Sequence, residues 1–582
     1  MAEWKIAPRA PADYFAALSD LHPLTAQVLH ARGLTDPAAA RAFVRGAYAP
    51  ADPFALQDMS RAVARVLSAI ANGESIAVYA DYDCDGVTAG ALLIRTLNAL
   101  GGRTQIYIPD RFEEGYGLNA QALEYLRGQG VSLVVTVDCG ARAHLEARRA
   151  REIGLDLIVT DHHELEDEAI PDAYAVVDPK RPDCPYGFKH LAGVGVAFRM
   201  AQCLLRRARD AGLPRSELTE ASLLDLVALG TVADVVPIIG ENRALVRAGL
   251  ERINRQPQIG VRALIQAAGL RPGAVNAERI GFALGPRLNA AGRLEHARAA
   301  YDLLTCDDPE RATALAEALN RQNSERQDVT AVVAESAERQ ALETHARSRD
   351  DAPLPPLLFA AAPEYHLGVI GLAASRLVEK YQRPAVVVSI HGQEARGSCR
   401  SVGEFDIIAA LDTCADLLLK HGGHEAAAGF TTRTDALDAL RERLSEIARR
   451  SQPEGGWARV IHADAEITLA EVNHRSVVEL QQLEPHGPGN PKPTFVVRGA
   501  RVSDLRRIGR AENGAAPPHL QLRVTDARRV IWDAIAWRMG DRIQELDVGA
   551  SVDLVCQLDV NEWNGESRLR LEVLDFRAAR AA

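Results

Sequence analysis

The 582-residue sequence predicts an α/β protein of several domains: a parallel-sheet domain, a long connecting helix, a second α/β domain and a small C-terminal β-barrel. Three observations lead to this fold class. Short apolar runs alternate with helical stretches from about 75 to 240, a long segment without glycine or proline follows, and the pattern beyond 457 becomes β-branched. Because a single hydrophobic core stops growing near about 250–300 residues, the length also requires several domains.

The first domain is predicted from the runs IAVYA, VSLVVTV, LDLIVT and AYAVV. They are short and continuously apolar, and helical stretches such as VTAGALLIRTLNAL separate them. This alternation is typical of a parallel sheet with helices on both faces. We assign the domain to residues 51–308, after an N-terminal segment of residues 1–50.

Acidic and imidazole side chains follow these predicted strands where the strands end. Because the carboxyl ends of parallel strands share one edge of a sheet, side chains from distant segments meet there. They are Asp81, Asp83 and Asp85 after IAVYA, Asp138 after VSLVVTV, Asp161, His162 and His163 after LDLIVT, Asp178 after AYAVV, and Asp234 near the end of the helical LLDLVALGTVADVVPI.

Such an acidic cluster requires cations. Two carboxylates about 4 Å apart repel by about 4 kcal/mol at an effective dielectric of 20. Oxygen and imidazole ligands without thiolate suit Mn²⁺ or Mg²⁺ better than structural zinc. Any one of these acids, taken alone, is more often a turn or a helix cap. The metal site is inferred from five such features in order along one sheet edge.

The middle of the chain predicts a long helix and a second α/β domain. Residues 310–352 contain no glycine or proline, and Pro309 and Pro353 bracket them. One helix over 309–352 could span up to about 60 Å, and its mixed charge suits a connector rather than a core helix. The stretches PLLFAAAPE, LAASRLVEKY and PAVVVSI then predict a compact α/β domain over 353–450.

Residues 457–578 predict a small barrel of antiparallel strands, with TFVVRGARVSDLRRI, HLQLRVTD and SVDLVCQLDV among them. Residues 498–529 carry eight arginines against three acids, although the whole chain has a net charge of −11. The arginines are 498, 501, 506, 507, 510, 523, 528 and 529. Four of the five tryptophans (457, 532, 537 and 563) also lie here. A basic, aromatic barrel favours single-strand binding, although at least two of these tryptophans are expected in the core.

Other classes of protein are disfavoured. The N-terminus lacks the pattern of a signal peptide, and no apolar run approaches the roughly 18 residues that cross a bilayer. The eight cysteines are scattered and form no CxxC pair, so neither a disulfide framework nor a zinc knuckle is indicated. We expect a cytoplasmic protein without a membrane partner.

The motifs resemble a known family. ADYDCDG, TVDCG, TDHHE and GTVADVVP resemble the four successive motifs of the DHH phosphoesterase superfamily. EYHLGVIGLAASRL, RGSCRS and GGHEAAAGF resemble its accessory DHHA1 domain, and EPHGPGNPKPTF before the basic barrel resembles the OB domain of the RecJ exonucleases. The resemblance covers about 50 to 578, and by it the chain is identified as a member of the RecJ family.

The resemblance implies a set of metal ligands and their roles. Two divalent ions, usually Mn²⁺ with Mg²⁺ as the alternative, would be held by Asp83, Asp85, Asp138, His162 and Asp234. Asp138 would bridge the ions, and Asp81 would ligate directly or through water. His163 would contact the scissile phosphate, and Asp161 would orient an imidazole. Two such ions can activate a water themselves, so no protein nucleophile is needed.

Substrate-binding candidates come from the same resemblance and from local pattern. Arg396, Ser398 and Arg400 alternate as on one strand face, and the glycines before His424 would let backbone amides approach a phosphate. Each candidate has a structural alternative. Arg396, Ser398 and Arg400 could form an exposed strand face, the two glycines could cap a helix, and His366 could be a surface histidine. The full set is Arg111, Arg287, Asn289, Arg293, His366, Arg396, Ser398, Arg400, Gly422, Gly423 and His424.

The resemblance implies a metal-dependent exonuclease that hydrolyses single-stranded DNA from 5′ to 3′ by a two-metal mechanism, in DNA repair and recombination. Single-stranded DNA is the expected partner, with a helicase and a single-strand-binding protein as further candidates. One alternative is a DHH-family phosphodiesterase for short oligonucleotides or small nucleotides, but those relatives resemble the first two domains only. The other is a non-catalytic single-strand-binding replication scaffold, against which the intact ligand set argues.

Overall fold

The computed structural model describes residues 2–579 except 112, 116, 166–168, 211–216, 348–353, 455, 510–516, 527–529 and 564–565, and it omits the side chains of 347, 561–563, 566 and 567. Two compact units make up the chain. One comprises residues 50–458, and the other combines residues 1–49 with 459–582. Within the described residues, every helix is too short or too polar to cross a bilayer.

The N-terminal residues form a strand and three short helices. Proline occupies the first turn of the second and third helices, where its missing N–H removes no hydrogen bond. Asp36 caps the third helix, since its side chain accepts from the amides of Ala38 and Ala39. The elements are β1 (Glu3–Ile6), α1 (Ala12–Ala17), α2 (Pro23–Ala31) and α3 (Pro37–Arg45).

The first domain of the larger unit contains five parallel strands in the order β3-β2-β4-β5-β6. The central strands are almost entirely buried, as their continuous apolar runs predict. Its elements are α4 (Met59–Ala71), β2 (Ser75–Ala80), α5 (Cys84–Ala99), β3 (Arg103–Tyr107), α6 (Ala120–Gly128), β4 (Val131–Val137), α7 (His144–Glu152), β5 (Asp156–Thr160), β6 (Ala175–Val177) and α8 (Gly193–Asp210).

A helical layer follows this sheet and packs into the same core. Between its fourth and fifth α-helices, Ile280–Leu284 form a π-helical turn. The helices are α9 (Leu224–Ala233), α10 (Gly240–Arg255), α11 (Ile259–Ala267), α12 (Ala277–Arg279), α13 (Gly285–Leu294) and α14 (Arg298–Thr305).

Helix α15 (Pro309–Arg347) is 39 residues long, or about 58 Å. Its first half places Ala312, Ala316 and Leu319 in the core of the first domain. Its second half places Val333 and Ala337 in a core with the next domain. The prediction of a connector rather than a core helix was therefore incomplete: small residues suffice to bury one stripe of this helix.

The second α/β domain has a mixed five-stranded sheet in the order β10-β11-β9-β8-β7. The pair β7–β8 is parallel and the other pairs are antiparallel. Its elements are β7 (Leu358–Ala362), α16 (Ile370–Tyr381), β8 (Ala385–His391), β9 (Glu394–Arg400), α17 (Ile407–Asp412), β10 (Leu418–His424), β11 (Ala427–Arg433) and α18 (Leu437–Ser451).

The C-terminal strands close into a five-stranded barrel, because β14 pairs with β15 through its second half and with β17 through its first half. Closure also requires a parallel pair, β16 with β18. The prediction of a wholly antiparallel barrel was therefore wrong for this pair. The elements are β12 (Val460–Ala463), β13 (Ala465–Ile467), α19 (His474–Gln481), β14 (Thr494–Ile508), β15 (His519–Thr525), β16 (Ile531–Ala536), β17 (Ser551–Trp563) and β18 (Glu566–Ala578).

The N-terminal segment is part of this barrel unit. Strand β1 pairs in parallel with β12. Leu18, Val28 and Leu29 share one hydrophobic core with barrel residues such as Phe495 and Leu571. Residues 1–50 were predicted as a separate segment, since nothing local in the sequence shows that their apolar side chains pack against residues more than 400 positions further along the chain.

Candidate metal centre and substrate cleft

Strand order brings the predicted acids together. Strands β2, β4 and β5 are neighbours, so the residues that follow them, Asp81, Asp138 and Asp161, meet at one edge of the sheet. Asp234 reaches the same edge from the C-cap of α9. All four carboxylates come from segments that are distant in sequence.

Two groups of three ligand atoms form at this edge, and in each group the atoms lie within 4.8 Å of one another. One group contains Asp81, Asp83 and Asp138, and the other contains Asp85, His162 and Asp234. The groups are adjacent, because His162 Nε2 lies 3.0 Å from Asp138 Oδ1 and 3.6 Å from Asp234 Oδ2. The structure thus gathers the five predicted ligands and Asp81 into two adjoining positions.

The backbone around Asp85 is unusually close-packed. Asp83 caps α5, accepting from the amides of Asp85 (2.8 Å) and Gly86 (3.1 Å). A Cβ on Gly86 would lie 2.5 Å from the carbonyl oxygen of Asp81, so glycine is needed there for close approach. The Asp85 carboxylate accepts from the amides of Gly193 (2.6 Å) and Val194 (2.9 Å), which fixes it against the start of α8.

Asp138 lies at a strained backbone position. Its φ of 64° is left-handed, a region in which aspartate is one of the few tolerated side chains. A Cβ on Gly193 would approach Asp138 Oδ1 to 2.7 Å. The chain therefore turns sharply after β4, and the glycine opposite makes room for the carboxylate.

Burial and mutual repulsion raise the pKa of four carboxyls. The pKa of Asp81 lies well above its usual value because of burial and the charge of Asp83. Burial and the charges of Asp85 and Asp83 act in the same way on the pKa of Asp138. Burial and Asp83 raise the pKa of Asp85 to about 7, and burial and Asp85 raise that of Asp234 to about 9. Without cations, the fold must therefore hold ionised carboxylates together against their mutual repulsion or keep some of them protonated.

The donor set fits divalent cations. Within the described residues, four buried atoms of the cluster make no hydrogen bond of acceptable geometry: Asp81 Oδ1, Asp138 Oδ1, His162 Nε2 and Asp234 Oδ2. His162 Nε2 and Asp138 Oδ1 lie 3.0 Å apart but are not aligned for one. A buried polar atom without a partner costs about 1–3 kcal/mol, and a metal ion would supply the missing contact. Burial and the neighbouring His163 lower the pKa of His162 to about 3, so its ring is in the neutral form that binds metal.

Asp161 holds the second histidine. Its Oδ1 lies 2.8 Å from His163 Nδ1, and its Oδ2 accepts from the amide of Ala141 at 2.7 Å. Burial raises the pKa of Asp161, but the hydrogen bond and charge of His163 outweigh burial and lower it to about 2. Asp161 is thus ionised and orients the His163 ring, whose side chain remains 37% exposed.

A group of arginines faces the acids. The guanidinium of Arg111 lies 4.9 Å from the ring centre of Tyr82, and Arg293 Nη1 donates to the carbonyl of Gly368 at 3.3 Å. Burial, Arg111 and Arg326 lower the pKa of Arg293 to about 10. Arg400 Nη1 donates to Ser398 Oγ at 3.1 Å. Among the described acids, none lies within ion-pair distance of these arginines, so the group can accept an anion.

Arg326 was missed by sequence reasoning. It lies on the inward stripe of α15, where core positions recur at alternating spacings of three and four. That stripe is apolar except at Asn323, Arg326 and Thr330, midway between the two cores. Asn323 and Thr330 are buried, and Arg326 donates to Asn323 Oδ1 at 2.9 Å. Polar residues interrupting an otherwise apolar helical stripe were the signal that could have identified it.

Three other candidates have local roles in the structure. Arg287 donates to the carbonyl of Ala283 at 2.7 Å and to Asn320 Oδ1 at 3.0 Å. Asn289 accepts from the amide of Cys84 at 2.7 Å, which holds α13 against the acidic loop. His366 Nδ1 accepts from the amide of Gly368 at 3.1 Å. Asn289 therefore supports the metal loop, and Arg287 stabilises the π-helical turn.

The glycine pair lies on a strand rather than at a helix end. Gly422, Gly423 and His424 belong to the edge strand β10, so the helix-cap alternative is wrong. Across the sheet, Ser398 aligns with Gly429 and Gly422, and Arg400 aligns with Ala427 and His424. Arg396 is exposed on β9, four residues before Arg400.

Among the described arginines of 498–529, three lie within ion-pair distance of a carboxylate. Arg498 lies 2.9 Å from Asp553, Arg523 lies 3.1 Å from Asp533, and Arg507 lies 3.9 Å from Asp541. Arg501 and Arg506 instead donate to a backbone carbonyl and to Gln521. Arg510, Arg528 and Arg529 lie outside the described residues.

The tryptophans divide as the core alternative expected. Trp532 is buried in the barrel, whereas Trp537 is 44% exposed. Trp457 packs in the core of the second α/β domain and not in the barrel. The side chain of Trp563 lies outside the description.

Comparison with known proteins agrees with this architecture. Three family models match the chain: the DHH family N-terminal domain over 75–231, the DHHA1 domain over 354–450 and the RecJ OB domain over 463–575. The single-stranded-DNA-specific exonuclease RecJ of Bacillus subtilis is 37% identical over 98% of this chain and 70% of its own length. The protein of that name from Salmonella typhimurium is 34% identical over 98% of both chains.

Solved structures show the same likeness. The crystal structure of RecJ in complex with Mn²⁺ from Thermus thermophilus superposes with a TM-score of 0.82 and 31% identity. The alignment covers 100% of this chain and 80% of that one. A structure of the same protein with Mg²⁺ gives a TM-score of 0.77. Together with the domain matches and the paired ligand groups, this similarity shows that the chain belongs to the RecJ family.

Proposed function

We propose that this protein is a divalent-metal-dependent exonuclease that degrades single-stranded DNA from its 5′ end. The observation that carries the proposal is the pair of adjoining ligand groups around Asp138. Asp81, His162 and Asp234 each contribute a buried atom that can bind metal and makes no hydrogen bond within the described residues. The relatives are named as single-stranded-DNA-specific exonucleases, and related structures contain Mn²⁺ or Mg²⁺.

In this proposal, each residue of the cluster has a distinct task. Asp81, Asp83 and Asp138 would hold one ion, and Asp85, His162 and Asp234 would hold the other. Asp138 lies 3.0 Å from His162 and would be the residue that bridges the two ions. When bound, such ions lower the pKa of a coordinated water and stabilise charge on the phosphoryl oxygens. His163, oriented by Asp161, contacts the scissile phosphate, and its raised pKa favours the charged, donating form.

The arginine group provides the terminal phosphate pocket. A terminal 5′-phosphate carries more charge than an internal phosphodiester, and a guanidinium fork binds it well. Arg400, Ser398, Arg293 and Arg111 supply the donors, with Arg326 beside Arg293. These arginines lack acidic partners among the described residues, so an anion relieves their mutual repulsion. Polarity would follow, since the other strand end lacks this group.

Further partners fit the same substrate. A helicase would supply single strands, and a single-strand-binding protein would present them, which agrees with a role in DNA repair and recombination. The exposed Trp537, Arg501 and Arg506 of the barrel would bind the strand without reading sequence.

Hydrolysis of end-labelled oligonucleotides tests the proposal. With Mn²⁺ or Mg²⁺, label at the 5′ end should appear first as mononucleotide, and label at the 3′ end should stay in long fragments. EDTA should abolish both signals. Early release of the 3′ label would contradict the polarity, and undiminished cleavage in EDTA would contradict the metal dependence.

A further inference from the structure

Phe282 is an aromatic side chain that the mechanism above does not use. It is 83% exposed, although Ile280 and Leu284 on the same π-helical turn are fully buried. In the described part of residues 50–458, Tyr125 is the other strongly exposed aromatic residue. The widened turn is held in place, because Arg287 donates to its Ala283 carbonyl at 2.7 Å and to Asn320 of α15. Widened turns of this kind occur frequently at functional sites.

This turn packs against the helix that carries Asp234. A Cβ on Gly285 would lie 3.1 Å from Ala233 Cβ, and one on Gly281 would lie 3.9 Å from Val232 Cγ1. Val232 and Ala233 form the last turn of α9, and Asp234 follows as its cap. The turn that carries Phe282 therefore packs against the end of α9, next to the residue that follows it, Asp234.

Val235 adds a second apolar group at the same place. It follows Asp234 directly, has a left-handed φ of 64°, and is 65% exposed. A β-branched residue in this conformation is an outlier that costs about 1–3 kcal/mol, and packing of an exposed side chain does not repay it. Strain of this kind persists at ligand-binding sites.

We propose that Phe282, with Val235 beside it, stacks against the nucleobase next to the scissile phosphodiester. This inference rests on the proposed function, because it is a single strand that brings a base to this position. Aromatic rings bind bases without reading sequence, since every base offers a π face. The cluster and the arginines bind phosphates, so the platform supplies the contact to the base.

Strands that lack one base test the contact directly. Initial rates are measured with Mn²⁺ on a full strand and on strands with a single abasic site at the first, second or third nucleotide from the 5′ end. For the wild type, one abasic position should raise KM by about tenfold with little change in kcat. Phe282→Ala should raise KM on the full strand by a similar factor and respond to no abasic position.

Two further variants complete the test. Phe282→Trp should restore the sensitivity to the missing base, and Tyr125→Ala should behave as the wild type. Tyr125 is a suitable control because it is 58% exposed on α6 and its ring lies 6.4 Å from that of Tyr107 on the outermost strand β3, whereas the cluster lies at β2, β4 and β5. Circular dichroism confirms that each variant is folded.

An abasic penalty that persists in Phe282→Ala would overturn the inference, as would an unchanged KM for that variant on the full strand. The second result would leave Phe282 as a docking point for another protein. Absence of wild-type hydrolysis would instead contradict the proposed function. Anisotropy of the same labelled strands in EDTA would then still compare Phe282→Ala with the wild type, and equal affinities would overturn the stacking contact.

Discussion

The sheet edge of the first domain and the arginine-rich side of the barrel are both densely charged, and they balance that charge in opposite ways. At the sheet edge, Asp81, Asp138 and Asp234 are buried beside one another, and no described lysine or arginine pairs with them. On the barrel, Arg498 and Arg523 each contact a carboxylate.

The difference in charge pairing indicates which of the two regions depends on a bound ligand. A surface that pairs its own charges gains little from any one pair, about 0–1 kcal/mol, and loses little without a partner. A buried cluster of one sign is relieved only when counter-ions are bound or when some of its carboxyls are protonated. The metal ions are therefore expected to act on folding as well as on chemistry, whereas the barrel is complete without nucleic acid.

The largest expected effect is on catalysis. Asp138→Ala removes the carboxylate of the first ligand group that lies against His162 of the second and is proposed to bridge the ions. Hydrolysis with Mn²⁺ should therefore fall by at least about 10³-fold, while strand binding is largely kept. Initial rates and anisotropy measure the two quantities. Asp225→Asn is the matched control, because Asp225 is equally buried but satisfied by Gln258. Appreciable turnover by Asp138→Ala would contradict the bridging role.

Metal removal should make the unfolding free energy fall as pH rises. The folded pKa values of about 7 for Asp85 and about 9 for Asp234 lie above those of unfolded aspartate, so the folded state binds more protons. Between pH 7 and 9 the metal-free protein should therefore lose at least about 2 kcal/mol of unfolding free energy. With saturating Mn²⁺ the loss should disappear. Thermal unfolding at several pH values measures both, and a flat metal-free profile would contradict the electrostatic argument.

A smaller effect is expected in the terminal phosphate pocket. Arg400→Ala should lower the rate on 5′-phosphorylated strands by about tenfold and narrow their advantage over 5′-hydroxyl strands, because a charge-assisted hydrogen bond is lost. Arg396→Ala is the control, since Arg396 is exposed on the same strand. Equal proportional losses on both substrates would show that Arg400 does not bind the strand end.

The smallest effect separates two kinds of arginine on the barrel. The double variant Arg501→Ala, Arg506→Ala should reduce the slope of log affinity against log salt by about 1.4, or about 0.7 for each lost phosphate contact. The double variant Arg498→Ala, Arg523→Ala should leave the slope almost unchanged, because carboxylates already neutralise these side chains. Equal changes in the two variants would erase the contrast between the regions.

The positions of acids after the predicted strands were enough to predict that these acids gather at one edge of the sheet. Parallel strands must bring their carboxyl ends to one edge, so Asp81, Asp138 and His162 could be placed together before any distance was known. The left-handed φ of Asp138 could not be predicted, because aspartate adopts ordinary conformations equally well. The close approach of Gly86 to the Asp81 carbonyl could not be predicted either, because an Asp-Gly pair is equally common in ordinary turns.

Contacts between distant segments escaped prediction. The placement of Leu18 and Val28 in the barrel core depends on partners far along the chain. Pairing of Arg498 with Asp553 escaped for the same reason, since composition counts charges without showing which are paired. The hydrogen bonds of Arg287 with Ala283 and Asn320 were likewise not predicted by its motif, and its role at the substrate stays a prediction. A motif identifies a residue type at a position, and only the packing around it shows which neighbour it bonds.

Helix α15 belongs to two hydrophobic cores at once, with Ala316 in the first and Ala337 in the second. The helix thus joins the first and second α/β domains rigidly. Moving one domain away from the other would expose apolar side chains of one of these two cores. We expect the spacing between the metal cluster of the first domain and Arg400 of the second to stay fixed from one cut to the next. Each new 5′ end would then meet the same distance between the cluster and the arginines.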